Sequence, residues 1–381
     1  MSGLLILGTG LAGYTVAREF RKLDAQTPIT LVTRDAGSFY SKPMLSNALA
    51  QNKAANQIAL NSANDMARQL KAMVHAQVAV TNIDAAALTV TTDNGLTLSG
   101  DQVVLAIGAD SIRLPLAGDA AGSVLSINDL DDYTGFRAAL TGKQRVLLLG
   151  AGLIGCEFAN DLRLAGIEVA VVDPAPQPLG RLLPPQAAGF LRAALEKIGV
   201  KFYFATTVQA VEHHADALRV TLATGQTLDT DLVLSAIGLK ARTELAQRAG
   251  LAIQRGIVVD AGLQTSAPGI YALGDCAEVA GLHLPFVMPL MQQARALAKT
   301  LAGTRTPVQY PAMPVVVKTP ACPTVVCPPP PGTEGSWQEE VSTDGARAIF
   351  REASGSVRGF ALLGTSVGEK QALTKEIPNL L

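Results

Sequence analysis

Aromatic residues are scarce: Phe, Trp and Tyr make up 4% of 381 residues, with a single Trp. A core short of rings must be built from Ala, Leu, Val and Ile within the 48% hydrophobic content. That composition suits parallel strands buried on both faces and covered by Ala-rich helices. Excess charge is missing as well, since 31 Lys and Arg stand against 32 Asp and Glu. A net charge of −1 gives no basic surplus to draw the chain onto nucleic acid or an anionic membrane. Long apolar runs are absent too. The stretch Arg145–Ala151 is strand-sized, which argues against membrane insertion. Met1–Leu7 holds no charged leader region or cleavage site, so no signal peptide is expected and the chain reads as cytoplasmic.

Histidine and cysteine are equally sparse, four of each. His75, His213, His214 and His283 show no metal-ligand spacing, and no metal site is expected. Cys156, Cys276, Cys322 and Cys327 are expected to stay reduced in a cytosolic chain. Cys322 and Cys327 flank Pro-Thr-Val-Val, where a redox disulfide is one reading and two ordinary thiols the simpler one.

What is present is punctuation by glycine. The length exceeds what a single core holds, so two or three domains are expected. Gly3–Leu7 reads as a strand, Gly8–Gly13 as a turn, Leu11–Leu23 as a helix and Ile29–Val32 as a second strand. The same order returns in Arg145–Leu149, Gly150–Gly155, Cys156–Ala165 and Glu168–Val172. Each unit is followed by short alternating strands, around Asp93-Asn94-Gly95 and around Thr224-Gly225. Each block then ends in an apolar strand closed by glycine, Val103–Gly108 and Leu232–Gly238. From Thr306 prolines crowd the chain, four in a row at Pro328–Pro331. Strands at Arg347–Arg351 and Val357–Leu363 and a helix near Gly368–Lys375 then suggest a small α+β domain. The expected fold is α/β, with two Rossmann-like dinucleotide-binding domains and a small C-terminal α+β domain.

The first turn is Gly8-Thr9-Gly10-Leu11-Ala12-Gly13. Gly8 allows the sharp turn, Gly10 lets the backbone approach a pyrophosphate, and Gly13 lets helix and strand pack closely. The helix N-terminus offers unpaired N–H groups to the phosphates. Alone the motif is weak. Here it follows a strand and opens a helix within a unit of roughly 30 residues, the setting it requires. The acid expected at the end of the second strand is replaced by Thr33, with Asp35 two residues on, so Thr33 or the backbone of Arg34 is the candidate ribose contact. The second turn is Gly150-Ala151-Gly152-Leu153-Ile154-Gly155, and its second strand does end in an acid, Asp173. A carboxylate there accepts from ribose hydroxyls and repels a 2′-phosphate, which predicts NADH over NADPH. One such turn could be merely structural; two in register, each in a βαβ unit, argue against that reading.

Ile270–Leu273 is a short apolar strand ending in Gly274-Asp275, which sets a carboxylate at the ligand-binding edge of a sheet unless it only caps a turn. Lys42-Pro43 reads as an extended step before a helix, and Glu157 as a first-turn carboxylate favouring a helix N-terminus. Pro289 suits the first turn of the helical run Met291–Leu301.

Both glycine turns, Ser41–Ser46, Gly150–Leu162, Gly274–Glu278 and Val317–Pro323 together resemble the FAD-dependent pyridine nucleotide–disulfide oxidoreductase-like flavoproteins of the ferredoxin reductase type. The resemblance covers nearly the whole chain. It implies an FAD-binding domain split between residues 1–112 and 240–308, an NAD-binding domain at 113–239 and a C-terminal interface domain at 309–381. It places Gly8, Thr9, Gly10, Leu11, Ala12, Gly13, Thr33, Arg34, Lys42, Val80, Glu157, Asp275, Val287 and Lys318 around FAD. Gly150, Gly152, Leu153, Ile154, Gly155 and Asp173 fall around NAD(H). Asp275 would bond the ribityl chain, the Val287 N–H would face the flavin pyrimidine, and Lys318 would reach the flavin region. Lys42 and Glu157 would pair beside the flavin and orient the nicotinamide as the catalytic residues.

The implied activity carries electrons from NADH through FAD to rubredoxin, a one-electron iron carrier, in a pathway such as alkane degradation. A ferredoxin-type reductase serving a [2Fe–2S] partner is the alternative, followed by an NADH oxidase or a non-enzymatic redox sensor. No cysteine precedes Cys156, which argues against the oxidase. Monomer and dimer both remain open.

Overall fold

Leu4–Leu7 is buried at all four positions, as a central parallel strand must be. In the computed structural model, which describes residues 3–381, it pairs in parallel with Ile29–Val32 on one side and Gln102–Leu105 on the other. Met73–His75 extends the sheet beyond Ile29–Val32. The opposite edge is closed by Ile270–Ala272, which pairs with Gln102–Leu105 from far downstream. The chain therefore leaves this sheet, builds a second one, and comes back. The reading of Met1 and Ser2 as a leaderless start lies outside the described residues.

The second sheet repeats the plan. Arg145–Leu149 lies between Glu168–Asp173 and Leu232–Ser235, with Val200–Phe204 and Leu125–Ser126 at the edges, all parallel. Each parallel sheet carries a three-stranded antiparallel appendage, Val80–Asp84 to Thr97–Ser99 and Val208–His214 to Thr227–Thr230. Ala109–Ser111 and Leu239–Ala241 pair antiparallel where the chain crosses between the two units and where it recrosses. The last part is a five-stranded antiparallel sheet from Val315–Val317 to Val357–Gly364, with the helix Lys370–Glu376 against it. No helix among the described residues is long and apolar enough to cross a membrane.

Two helices start earlier than the sequence expectation. The second-unit helix runs Leu153–Leu164, directly from Gly152, rather than from Cys156. The helix expected from Met291 starts at Val287, so Pro289 is its third residue. The first N–H groups of a helix have no intrahelical acceptor, so an early proline removes nothing. Apolar spacing shows only where a helix begins to pack against the core, and both helices begin before that point.

Candidate dinucleotide and hydride-transfer site

The two glycine turns solve the same steric problem in the same way. Gly8 and Gly150 have φ of +107° and +100°, a region open to glycine. A Cβ on Gly13 would lie 1.9 Å from the Gly8 carbonyl oxygen, and one on Gly155 would lie 1.9 Å from that of Gly150. Both helices thus start in backbone contact with their own turns. At Gly10 and Gly152, by contrast, a Cβ would meet nothing within 4 Å. The free space opens beside the first turns of Leu11–Leu23 and Leu153–Leu164, where Thr9, Leu11, Ala12, Leu153 and Ile154 stand. A pyrophosphate fits this cradle, taking its hydrogen bonds from the unpaired N–H groups. The residues present therefore suit one dinucleotide on each sheet.

In the first unit a carboxylate, Asp35, stands two residues beyond Thr33. Asp35 Oδ1 accepts from the Thr33 hydroxyl at 2.9 Å, from the Gly37 N–H at 2.8 Å and from the Thr9 hydroxyl at 3.4 Å. Its other oxygen makes no hydrogen bond among the described residues. Thr33 is buried, with its N–H bound to the His75 carbonyl and its hydroxyl donated to Asp35. The Arg34 side chain instead turns to Asp110, shared with Arg242. The Asp35 carboxylate thus joins Thr33 and the Arg34 backbone as a candidate ribose contact. A Thr-Arg-Asp sequence hides this, because the strand ends at Val32 and the chain bends before the carboxylate comes into line. Val80 sits just beyond, half-buried at the start of the first appendage.

In the second unit Asp173 stands where the sequence predicts it. Its Oδ2 accepts the Ala151 N–H at 2.6 Å and its Oδ1 the Ala175 N–H at 2.7 Å. Both bonds hold the carboxylate against the turn and leave lone pairs for ribose hydroxyls. NADPH is therefore expected to show a kcat/KM at least tenfold below that of NADH in steady-state assays, and Asp173→Ala should narrow the gap.

Between the two cradles lies a polar cluster. Gly274-Asp275 follows Ile270–Ala272, at the edge of the first sheet nearest the helix Val287–Leu301. Gly274 has φ +78°, and a Cβ there would lie 2.9 Å from Ala12, so only glycine lets the first-unit helix come this close. Its N–H is held by Gln293 at 2.7 Å, and Gln293 in turn donates to the Tyr310 hydroxyl at 2.8 Å. The helix beginning at Val287 is thereby pinned beside Asp275, with Val287 exposed at its first turn. Lys42 Nζ comes to 4.0 Å from Asp275, and His283 Nε2 to 3.0 Å from the Asp275 carbonyl oxygen. Burial pushes the Lys42 ammonium below its usual value, and Asp275 partly offsets that.

The expected Lys42–Glu157 pair is not formed. Glu157, buried in the second-unit helix, takes the ammonium of Lys318 and the hydroxyl of Ser46 on one oxygen, and the Lys318 N–H at 2.9 Å on the other. Lys318 also reaches the Ser46 hydroxyl at 3.1 Å. Lys42 opens the 3₁₀ helix Lys42–Asn47, so Ser46 and not Lys42 meets Glu157. The lysine next to Glu157 thus comes from the third domain, a pairing that no local spacing could reveal.

Cys322 and Cys327 belong to different apolar clusters, Cys322 with the second-unit core and Cys327 with the pocket under the final helix. All four thiols are free and buried, and burial raises Cys276 and Cys327 to about 11. No group of His, Cys, Asp and Glu among the described residues could hold a metal. Cys322→Ser and Cys327→Ser are each expected to retain rubredoxin reduction with FAD bound; loss of turnover in a folded, flavin-loaded variant would refute it.

The chain belongs to the pyridine nucleotide-disulphide oxidoreductases, whose family model matches residues 2–298. A second model, the rubredoxin binding C-terminal domain, matches residues 307–377. The chain is 50% identical to a rubredoxin-NAD(+) reductase of Alcanivorax borkumensis over 387 aligned residues, covering 100% of both chains. It is 46% identical to a rubredoxin-NAD(+) reductase of Acinetobacter baylyi, covering 100% of this chain and 99% of the relative. Among solved structures, a ferredoxin reductase from Rhodopseudomonas palustris is 25% identical with a TM-score of 0.89, over 98% of this chain and 95% of that one.

Proposed function

We propose that the chain is an NADH-dependent flavoprotein reductase that passes electrons from NADH through FAD to rubredoxin. One observation carries the choice of acceptor: residues 307–377, matched by a rubredoxin-binding domain, supply Lys318 to the Glu157 carboxylate between the two cradles. The acceptor domain thus reaches the electron-transfer site directly.

The proposed units are 1–112 with 240–308 for FAD, 113–239 for NAD(H) and 309–381 for the interface with rubredoxin. In the first unit Gly8, Thr9, Gly10, Leu11, Ala12 and Gly13 would hold the FAD pyrophosphate. Thr33, the Arg34 backbone or Asp35 would meet its ribose, Val80 would line the same site, and Asp275 would hold the ribityl chain. The Val287 N–H would face the flavin pyrimidine, where a helix N-terminus favours the negative charge of a reduced ring. In the second unit Gly150, Gly152, Leu153, Ile154 and Gly155 hold NAD(H), with Asp173 on its ribose. Lys42 and Glu157, with Lys318, line the place where nicotinamide and flavin meet. FAD, when bound, supplies a two-electron acceptor for hydride and a one-electron donor to iron. The protein's part is to align the rings, keep out water and hold the surrounding charges in fixed places. NADH is held inside the cell and the thiols are unpaired, which supports a cytoplasmic location.

Rapid mixing of the NADH-reduced holoenzyme with rubredoxin and with a [2Fe–2S] ferredoxin tests the reading. Rubredoxin is expected to be reduced at least tenfold faster. Preference for the ferredoxin would move the chain to the alternative class.

A further inference from the structure

Glu157, Asn160 and Asp161 stand at i, i+3 and i+4 on the helix Leu153–Leu164, so they share one face. All three are buried, yet none is needed by its own helix. Their partners lie on two other parts of the chain. Asp161 accepts the N–H of Leu49 at 2.9 Å and of Ala50 at 3.1 Å, just after the 3₁₀ helix that carries Lys42 and Ser46. Asn160 accepts the N–H of Ala321 at 3.0 Å, three residues past Lys318. Burial pushes the Asp161 carboxyl above its usual range, with Lys318 and Arg137 acting the other way. A polar group held there against its solvation preference, and satisfied by backbone N–H groups, sets position at a cost in burial.

We propose that Asn160 and Asp161 are positioning residues for hydride transfer: they fix the Lys42–Ser46 turn and the Lys318 segment relative to Glu157. The proposal rests on the reading of Lys42, Glu157 and Lys318 as the lining of the hydride site. Neither side chain is among the residues read as lining the cofactors. From the helix that also bears the nicotinamide cradle, each holds backbone three residues past a partner of Glu157, Leu49 past Ser46 and Ala321 past Lys318. Displacements near 1 Å suffice to slow a reaction that depends on ring alignment, on the order of a hundredfold in severe cases. An amide in place of the Asp161 carboxylate can accept from only one of the two N–H groups and faces the other with its own donors.

The test uses the FAD-loaded full chain as Asp161→Asn and Asn160→Ala. Flavin reduction by NADH is expected to slow about tenfold in each, with KM for NADH and FAD content within twofold of the parent. Amide hydrogen exchange should quicken at least tenfold at Leu49 and Ala50 in Asp161→Asn, and at Ala321 in Asn160→Ala. Unchanged exchange at these amides, or parental flavin reduction despite faster exchange, overturns the proposal. Should Asp161→Asn not fold, the uncharged change Asn160→Ala decides alone. If Glu157→Leu also reduces at the parental rate, the fault lies in the hydride-site reading; if only Glu157→Leu is slow, it lies in the positioning role.

Discussion

Gly155→Ala is expected to lower NADH-driven flavin reduction about a hundredfold while leaving FAD bound. The added Cβ would lie 1.9 Å from the Gly150 carbonyl oxygen, a backbone atom that cannot swing aside. Either the turn opens or the helix Leu153–Leu164 lifts from the strand Arg145–Leu149. In both cases the N–H groups proposed to hold the NAD pyrophosphate lose their direction. A hundredfold fall corresponds to about 2.7 kcal/mol of transition-state stabilisation, comparable with the ~1–3 kcal/mol of a typical overpacking strain. FAD should stay, because its cradle is built by Gly8–Gly13 on the other sheet and does not touch Gly155. The mirror change Gly13→Ala should instead cost the flavin itself. Flavin absorbance per chain and rapid mixing with NADH separate the two effects. Reduction of Gly155→Ala within threefold of the parent would falsify the assignment of this turn to NAD(H).

Glu157→Leu is expected to slow flavin reduction by NADH at least tenfold and to destabilise the protein by about 3 kcal/mol. Breaking a buried ion pair by removing one partner costs roughly 3–5 kcal/mol, and the lower end applies because Lys318 keeps a quarter of its side chain in water. Ser46 and the Lys318 N–H also lose their acceptor. The freed ammonium keeps the Ser46 hydroxyl and the more distant Asp161 carboxylate but loses its paired one, so its charge is poorly compensated. Removing both partners as Glu157→Leu with Lys318→Met should recover part of the stability and none of the rate. Thermal unfolding gives the first comparison and stopped-flow the second. A double variant that regained the parental rate would show that the carboxylate serves only to neutralise Lys318.

Much of the architecture was readable from residue order alone. Strand, glycine turn and helix follow one another within each unit, and these are local steric requirements: Gly8 and Gly150 need positive φ, and Gly13 and Gly155 need the absence of a Cβ. Asp173 ends its strand in register with the turn it faces, so its place was visible as well. Asp35 is less legible, because a carboxylate two residues beyond the strand end reaches the turn only through the bend after Val32.

The sequence by itself determined two dinucleotide cradles, an acid for the second, and a third domain that starts among prolines. These follow from contacts made within a few tens of residues, where chain geometry leaves few choices. Tertiary structure alone decided which charges meet. Lys318 takes Glu157 from a different domain, Lys42 is left to Asp275, and Asn160 and Asp161 anchor two backbones far away in sequence. Such pairings depend on how three parts of the chain pack against one another, and a lysine carries no mark along the chain of the carboxylate it will meet.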